Sequence, residues 1–271
     1  MSICRLLPLL LTCLLLLPPQ ASAGIPNELK VPLVTYYNYA PFGLDDGSSD
    51  LTHDLANLLT QNSGGRYRFV PTFLPKGRLD NMLQYQNWQG VVAWLNPRFV
   101  NDEAMSRHIW TVPLIQESDL VVSNIDAPVH FTGIQSLQGK VLGTILNQRY
   151  ADVEEMLANK QLRRSDASSQ ESNVRKLLLK RVDVVFVSRS TLSGLHQRIP
   201  EFESKLYIAT LPRNSFTRHV MLTRELPPEL IDYVRNTVAK LGSTPSWRDI
   251  MKRYHLDNQM PAHLAATVGH Q

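Results

Sequence analysis

Short runs of β-branched and aromatic residues alternate along the chain with segments whose leucines recur at helical spacing. Leu51, Leu55 and Leu58 lie three to four positions apart, as on one face of a helix. The continuous apolar run from Val91 to Trp94 is typical of a buried strand, and Pro71 marks another predicted strand as an edge strand. This alternation predicts an α/β fold with parallel strands. The predicted strands cover 31–37, 67–73, 91–94, 120–123, 141–145, 183–187 and 219–223, and the predicted helices lie near 51–59, 79–83, 148–157, 169–178, 228–241 and 247–254.

Local signals mark where several helices begin. Ser168 stands three residues before Glu171, which is the spacing of a capping box. Pro228 opens a long segment of helical periodicity, and proline is well tolerated in the first turn of a helix. Another helix is expected to begin just after Asn147, from the spacing of the apolar residues that follow it.

The N-terminal segment has the pattern of a secretory signal peptide. A run of twelve residues from Leu6 to Leu17 follows Arg5, the first charged residue. This run is shorter than the roughly 20 apolar residues of a membrane-spanning helix. Ala21-Ser22-Ala23 supplies small residues for cleavage. We therefore expect residues 1–23 to be removed during export to the periplasm, so that Gly24 is the first mature residue. An uncleaved N-terminal anchor is the alternative.

Composition excludes several classes of function. Hydrophobic residues make up 43% of the chain and charged residues 19%, which is enough apolar content for a core. The formal charge is +4, and no basic run exceeds a pair such as Arg163-Arg164, which argues against nucleic-acid binding. Cys4 and Cys13 both lie in the signal segment, so disulfides and thiolate metal sites are excluded from the mature chain. The histidines are scattered and form no metal-binding pattern, so no metal is expected. The sequence has no phosphate-binding glycine motif, and no cofactor is expected.

Four aromatic residues, Tyr36, Tyr37, Tyr39 and Phe42, follow the first predicted strand within seven positions. Ligands of open α/β sheets gather at the carboxyl ends of strands. An aromatic loop at that place could stack on a flat or aliphatic group of a ligand. Packing in the hydrophobic core is the alternative, above all for Tyr36 and Phe42.

Two further segments carry arginine and amide side chains past the ends of predicted strands. Asn96 and Arg98 follow one strand, and a guanidinium in such a loop suits bidentate capture of a carboxylate. Asn147, Arg149 and Tyr150 follow another strand, where the next helix is expected to begin, and a helix N-terminus attracts anions. The alternatives are a surface arginine and an ordinary helix start.

These segments belong to a sequence that resembles family 3 of the periplasmic solute-binding proteins, best known from ABC transporters of polar amino acids. Tyr39-Ala40-Pro41-Phe42 is identical to the family's YAPF turn, and the segment from Trp110 to Leu114 is similar to its F-S-x-P-Y segment. The order and spacing of the motifs carry the resemblance over roughly Val31 to Leu256. Further similar segments are His53 to Ala56, Ser136 to Val141 with Gly143, Val182 to Val185, and Ser246 to Tyr254.

The resemblance implies an α/β, two-lobed fold of the type II periplasmic-binding-protein class, with a ligand cleft between the lobes. Two strand-like crossovers would join the lobes, and hinge closure would clamp the ligand. The first lobe is expected to comprise residues 24–121 plus 216–271, and the second lobe residues 122–215. The expected ligand-binding residues are Tyr39, Phe42 and Trp94 as apolar walls, with Asn96, Arg98, Asn147, Arg149, Tyr150 and Ser188.

Two departures from the family pattern bear on the ligand. Amino-acid binders hold the ligand's ammonium with an aspartate at the position that is Ser188 here, and their carboxylate-binding arginine lies at the position that is Ala104 here. Arg98 is the favoured replacement for that arginine, with Arg107 as the alternative. Because a buried ammonium without a carboxylate is costly, the ligand is expected to be anionic or neutral.

We expect a monomeric, non-enzymatic protein that captures a small organic solute, amino-acid-like or an organic anion, for an inner-membrane ABC-type permease. One alternative is an enzyme on the same fold, similar to cyclohexadienyl dehydratases, with Asp54 or Glu117 as the general acid. The other is a receptor component that signals through a sensor protein without transport. Nucleic acid is not expected among the partners.

Export predicts a defined N-terminus for the mature protein. Mass spectrometry of periplasmic material from a Gram-negative host should find a chain that begins at Gly24 and contains no thiol, because cleavage after Ala23 removes both cysteines. A dominant species that keeps Cys13 with an attached lipid would contradict this expectation.

Overall fold

A computed structural model describes residues 28–43, 49–84, 88–146, 148–196, 198–199 and 202–262 of the 271-residue chain. Strands and helices alternate along these residues. The strands are β1 (Leu29–Thr35), β2 (Tyr67–Phe73), β3 (Val91–Leu95), β4 (Ile109–Trp110), β5 (Ile115–Asn124), β6 (Val141–Ile145), β7 (Arg163–Ala167), β8 (Val184–Ser188), β9 (Leu206–Ile208) and β10 (Asn214–Leu222). The helices are α1 (Leu51–Gln61), α2 (Lys76–Gln84), α3 (Glu154–Ala158), α4 (Gln170–Leu178), α5 (Arg189–His196), α6 (Phe202–Lys205), α7 (Pro228–Leu241) and α8 (Pro245–Arg253).

The strands pair in the order β2-β1-β3-β10-β5-β8-β6-β7, with β4 beside β10 and β9 beside β5. Parallel pairing joins β1 to β2 and β3, and joins β6 to β7 and β8. β5 and β10 run antiparallel to each other. The predicted α/β fold with parallel strands is therefore confirmed, and Pro71 does lie in an edge strand, β2.

One half of the sheet packs against helices on both faces. In β3, Val91 and Ala93 share a core with α1, α7 and α8, whereas Val92 and Leu95 share a core with α2. Burial on both faces explains why this strand reads as a continuous apolar run. These two cores draw on residues 31–115 and 220–256, which we call the first lobe.

The other half of the sheet has the same two-sided construction. In β8, Val185 and Val187 share a core with α4 and α5, whereas Val184 and Phe186 share a core with α3. These two cores draw on residues 120–209, which we call the second lobe.

β5 and β10 connect the two lobes. Residues 214–218 of β10 pair with residues 115–119 of β5, and each strand then continues into a different lobe, β5 through Leu120 and β10 through Val220. Two crossing strands between separately packed cores form a hinge geometry. The predicted lobe boundaries, 121/122 and 215/216, fall inside these strands and stay a prediction.

The helix expected just after Asn147 begins only at Glu154, so this prediction is wrong. Tertiary contacts hold the preceding segment in a turn. Arg213 donates to Asp152 at 2.6 Å, and its guanidinium carbon lies 4.8 Å from the centre of the Tyr150 ring. These contacts outweigh the preference for helix that the apolar spacing of the segment indicates.

The start of α4 is also shifted from its prediction. Ser169, not Ser168, is the N-cap, and its hydroxyl accepts a hydrogen bond from the amide of Ser172 at 3.1 Å. Both serines are competent caps, so the sequence alone did not choose between them. α7 begins at Pro228, as predicted.

Helix α5 of the second lobe lies directly against residues 36–43 of the first lobe, which we call the aromatic loop. A Cβ built on Gly194 would lie 2.7 Å from Cβ of Ala40 and 3.1 Å from the Ala40 carbonyl carbon and oxygen. Backbone atoms cannot rotate away as a side chain can. Glycine at 194 therefore permits the two lobes to meet at this point.

Gly194→Ala should open the contact between the lobes. Alanine favours helix over glycine by about 1 kcal/mol, but its Cβ has no room beside Ala40. We expect a larger radius of gyration in small-angle X-ray scattering. Gly77→Ala in α2 is the matched control, because no atom of the described residues lies within 4 Å of its built Cβ. If Gly194→Ala stabilises the protein as Gly77→Ala does and leaves the scattering unchanged, the contact is not the constraint we describe.

Candidate functional site

The pairing of the two hinge strands brings opposite charges together. Phe216 on β10 pairs directly with Glu117 on β5, so both side chains lie on one face of the ladder. Arg218 lies two residues further along β10 and therefore shares that face, diagonal to Glu117. Both charged side chains are buried, with relative exposures of 0% for Glu117 and 2% for Arg218.

The guanidinium of Arg218 has partners in both the hinge and the first lobe. Nε donates to Oε2 of Glu117 at 2.9 Å, and Nη1 donates to the Tyr37 hydroxyl at 2.7 Å and to the Trp94 carbonyl at 3.3 Å. Burial alone would lower the pKa of Arg218, but Tyr37 and Glu117 outweigh burial and raise this pKa above its ordinary value. The guanidinium therefore stays charged.

Three aromatic rings surround the same guanidinium. Its central carbon lies 4.5 Å from the ring centre of Phe42, 4.9 Å from Tyr37 and 5.2 Å from Phe216. Rings at these distances attract a cation through their electron-rich faces. The positive charge is thus held by one carboxylate and by several aromatic faces.

Glu117 connects the hinge to the second lobe. Its Oε1 accepts from the amide of Ser190 at 3.2 Å and from the amide of Ser118 at 3.1 Å, and its Oε2 accepts from the Ser190 hydroxyl. Ser190 lies in the first turn of α5. A chain of buried polar contacts therefore runs from Tyr37 in the first lobe through Arg218 and Glu117 to Ser190 in the second.

The backbone at Trp94 is adapted to this network. Trp94 has a φ of 68°, a left-handed conformation that is costly for a bulky residue. The register between β3 and β10 shifts at the same place, between His219 and Met221. The indole N–H donates to the Thr52 hydroxyl at 2.8 Å. The strained residue presents its carbonyl to Arg218, which offers a physical reason for the distortion.

The aromatic loop is packed ring against ring. The Tyr36 and Tyr37 hydroxyls lie 2.5 Å apart, and the ring of Tyr37 lies 5.4 Å from Tyr39 and 5.1 Å from Phe42. Burial raises the pKa of the Tyr39 hydroxyl well above its usual range, with further effects from Tyr37, Arg218, Tyr150 and Glu117. The phenol of Tyr39 is therefore neutral and is a hydrogen-bond donor.

A second buried arginine lies at the other end of the paired segment. Arg213 donates to Asp119 at 2.7 Å and to Asp152 at 2.6 Å. Its guanidinium carbon lies 4.8 Å from the Tyr150 ring and 4.7 Å from the Phe186 ring. Burial raises the pKa of the Tyr150 hydroxyl, so this phenol is also neutral. Tyr150 is buried in the core of the second lobe, where its ring centre lies 5.2 Å from that of Phe186.

The structure places the other predicted site residues as follows. Phe42 and Trp94 are fully buried in the first-lobe core, which is the alternative that the sequence left open for Phe42. Asn96 is buried and caps the 3-10 helix Pro97–Val100. Ser188 is half-buried and its hydroxyl lies 2.7 Å from that of Thr191. Arg149 is exposed, and Asn147 lies outside the described residues.

Arg98 is exposed, and its guanidinium carbon lies 5.1 Å from the Phe216 ring and 5.6 Å from the Phe99 ring. Arg107, the alternative, is also exposed, and its backbone is held by Asp102. Burial acts to raise the pKa of Asp102, but hydrogen bonds from Arg107, Trp110, His108 and Ser106 outweigh it and lower that pKa. Asp102 therefore organises the loop around Arg107.

The two carboxylates considered for catalysis are both engaged by other side chains. Asp54 accepts from the Tyr254 hydroxyl at 2.8 Å and from Arg253 at 3.1 Å, which ties α1 to the end of α8. Glu117 is paired with Arg218. Both carboxylates are therefore occupied by hydrogen bonds within the protein, which leaves them poorly placed to act on a substrate.

The sequence did not point to Arg218, Arg213 or Tyr37 as members of a site with Glu117. The missed signal is a charged residue inside a strand-like segment, as in Asn214-Ser215-Phe216-Thr217-Arg218 and Gln116-Glu117-Ser118-Asp119. Buried charges are normally paired, so two such segments of opposite charge indicate a pair.

A cavity of about 180 Å³ lies beside the aromatic loop at the carboxyl ends of β1 and β2, and Thr35, Tyr37, His53 and Thr72 are among its lining residues. Within the described residues no cluster of three or more His, Cys, Asp or Glu is arranged to hold a metal ion. None of the helices in that part of the chain has both the length and the apolar character needed to cross a membrane.

No protein-family model matches the chain, and no curated protein is significantly similar to it in sequence. Solved structures share its fold. The GluR0 ligand-binding core from Nostoc punctiforme, in complex with L-glutamate, superposes with a TM-score of 0.62 at 13% identity, over 84% of this chain and 99% of that one. A structure from a study of glutathione import via GshT and the cystine ABC importer TcyBC of Streptococcus mutans has a TM-score of 0.68 at 13% identity, over 86% of this chain and 98% of that one.

The periplasmic domain of BvgS from B. pertussis has a TM-score of 0.61 at 18% identity, over 84% of this chain and 43% of that one. At identities this low, the structural similarity establishes the fold alone. The chain therefore has the two-lobed α/β fold of the type II periplasmic-binding-protein class, as the resemblance in its sequence implied.

Proposed function

We propose that this protein is an exported binding protein that captures a small organic solute, amino-acid-like or an organic anion, between its two lobes for an inner-membrane ABC-type permease. The observation that carries the proposal is the hinge: two antiparallel crossing strands join two separately packed cores. Bending of such strands lets two lobes close around a ligand without disturbing either core.

Two tyrosines, one from each lobe, support a binding role. Tyr39 comes from the first lobe and Tyr150 from the second, and the pKa of the Tyr39 hydroxyl responds to Tyr150, Arg218 and Glu117. Tyrosines combine an apolar face with a hydroxyl donor, which suits capture of a small solute. We propose that Tyr39, Tyr150 and Ser188 contact the solute. Arg98 and Arg149 would lie at the rim, and Phe42, Trp94 and Asn96 would support these contacts from the buried side.

The charges already present in the cleft favour binding over catalysis. Arg218 and Arg213 are each paired with a carboxylate of the chain, and the two carboxylates considered as general acids are engaged. A solute would then be held by hydroxyl groups and aromatic faces, and its binding would not require an unpaired charge to be buried. This arrangement favours a binding protein over a dehydratase-like enzyme.

Sensing is a second candidate, and one observation favours it. Buried contacts of Glu117 with Arg218 and Ser190 link the lobes through the chain's own residues. In a receptor, these contacts would define the lobe arrangement without solute, and binding of a solute would signal by changing that arrangement. We propose this role only as a variant of solute binding, in which the partner is a sensor protein instead of a permease.

Solute binding predicts a selective thermal shift. In a screen of amino acids, organic acids and neutral polar solutes, one chemical class should raise the melting temperature, because a ligand that binds only the folded form stabilises it. Tyr39→Ala should abolish the shift, since it removes one of the proposed contacts with the solute. Leu179→Ala is the control, because this apolar residue is 63% exposed at the end of α4 and does not line the cavity beside the aromatic loop. A shift that survives Tyr39→Ala would place the solute elsewhere.

A further inference from the structure

The contacts of Arg218 have the composition of a guanidinium-binding site. Such a site needs a carboxylate, further acceptors for the remaining N–H groups, and an aromatic face. Glu117 supplies the carboxylate at 2.9 Å, and the Tyr37 hydroxyl and Trp94 carbonyl supply acceptors at 2.7 and 3.3 Å. The ring of Phe42 lies 4.5 Å from the guanidinium carbon. Here the occupant of the site is a side chain of the protein itself.

The walls of this site are held by contacts that do not involve Arg218. Glu117 accepts hydrogen bonds from the amides of Ser118 and Ser190 and from the Ser190 hydroxyl. The Tyr37 hydroxyl lies 2.5 Å from that of Tyr36. Phe42 packs against Trp94, with 5.4 Å between the ring centres. Removal of the Arg218 side chain should therefore leave a formed cavity with a carboxylate on one wall.

We propose that Arg218 is a specificity-determining residue that fills a guanidinium site at the hinge of the cleft and so excludes cationic solutes from it. With Arg218 in place, Glu117 is neutralised, and a second cation would be buried beside a positive charge. Without Arg218, a carboxylate is left buried and unpaired, and such a group attracts a cation strongly. The consequence for solute choice rests on the proposed function, whereas the existence of the site does not.

Chemical rescue of a truncated Arg218 tests the site directly. Arg218→Ala should melt at a lower temperature than the wild type, and ethylguanidinium, whose head group matches the atoms removed, should restore much of the loss. With ~50 mM of this cation and a Kd near ~1 mM, linkage predicts an upward shift of about 5 °C or more. Ethylammonium should restore much less, because an ammonium cannot reproduce the planar fork. Equimolar sodium chloride should restore nothing, and the wild type should not respond to ethylguanidinium.

Two further variants isolate the chemistry. Arg66→Ala removes another arginine that stacks on aromatic rings, 5.5 Å from Tyr233 and 5.7 Å from Tyr67, but has no carboxylate partner among the described residues. It should show no selective response to ethylguanidinium. The double variant Glu117→Gln with Arg218→Ala should also be unresponsive, because its cavity has the same size as that of Arg218→Ala but carries no charge.

Three results would overturn the proposal. One is an equal response of Arg218→Ala to ethylguanidinium and ethylammonium. Another is an equal response of Arg66→Ala and Arg218→Ala. If Arg218→Ala folds too poorly for a melting curve, its refolding yield is measured instead. The third contradicting result is then a refolding yield that does not depend on ethylguanidinium.

The same proteins separate this proposal from the proposed function. Wild type and Arg218→Ala are screened against L-arginine, L-lysine, succinate and L-serine. L-arginine should bind to the variant at least about tenfold more tightly than to the wild type, and L-lysine should gain less. Rescue by ethylguanidinium without any solute response from the wild type would leave the guanidinium site standing and count against solute capture. If the wild type responds to succinate or L-serine but ethylguanidinium does not rescue the variant, solute capture stands and the guanidinium site is contradicted.

Discussion

Glu117 and Arg218 bury opposite charges at the point where the two lobes join. Taking two ions out of water costs several kcal/mol for each ion, and the cost is offset only when the pair and its neighbours satisfy their hydrogen-bonding groups. Arg218 meets this demand with Glu117, Tyr37 and the Trp94 carbonyl, and Glu117 meets it with Ser118 and Ser190. Because the partners come from both lobes, satisfying this one ion pair couples the two lobes in the arrangement that the structure shows.

Other features of the cleft follow from this constraint. The left-handed backbone of Trp94 presents a carbonyl to Arg218, and the aromatic loop brings Tyr37 and Phe42 against the same guanidinium. Gly194 lets α5 approach the loop closely enough for Ser190 to reach Glu117. Under the proposed function, a solute would meet the phenols of Tyr39 and Tyr150 and a neutralised ion pair.

Local pattern predicted most of the scaffold. The apolar run of β3, the proline of the edge strand β2 and the proline start of α7 each depend on nearby residues, and the structure confirms them. The segment before α3 was mispredicted because Arg213, sixty-one residues away, holds Asp152 in a turn. Such a contact has no signature in the local spacing.

The centre of the site was not predicted because it depends on strand register. The predicted strands 120–123 and 219–223 cut both hinge strands short and left Glu117 and Arg218 outside them. The two residues are 101 positions apart, and only the pairing of β5 with β10 brings them together. Tyr39 and Tyr150 were selected because each follows the end of a predicted strand, and their role in the site stays a prediction. Arg98 was selected by the same reasoning, yet it is exposed beside Phe216, whereas the buried guanidinium comes from β10.

A double-mutant cycle on Glu117 and Arg218 tests the central claim, with urea unfolding of Glu117→Gln, Arg218→Met and the double variant as the measurement. Each single variant leaves one buried charge without its partner and should cost about 3 kcal/mol or more, and the double variant should cost less than either single change. The exposed pair Lys76–Asp80, whose side chains are 39% and 40% exposed, is the control, with an expected coupling of about 0.5 kcal/mol. Additive costs for Glu117 and Arg218 would contradict the account, because they would mean that the pair does not hold the hinge.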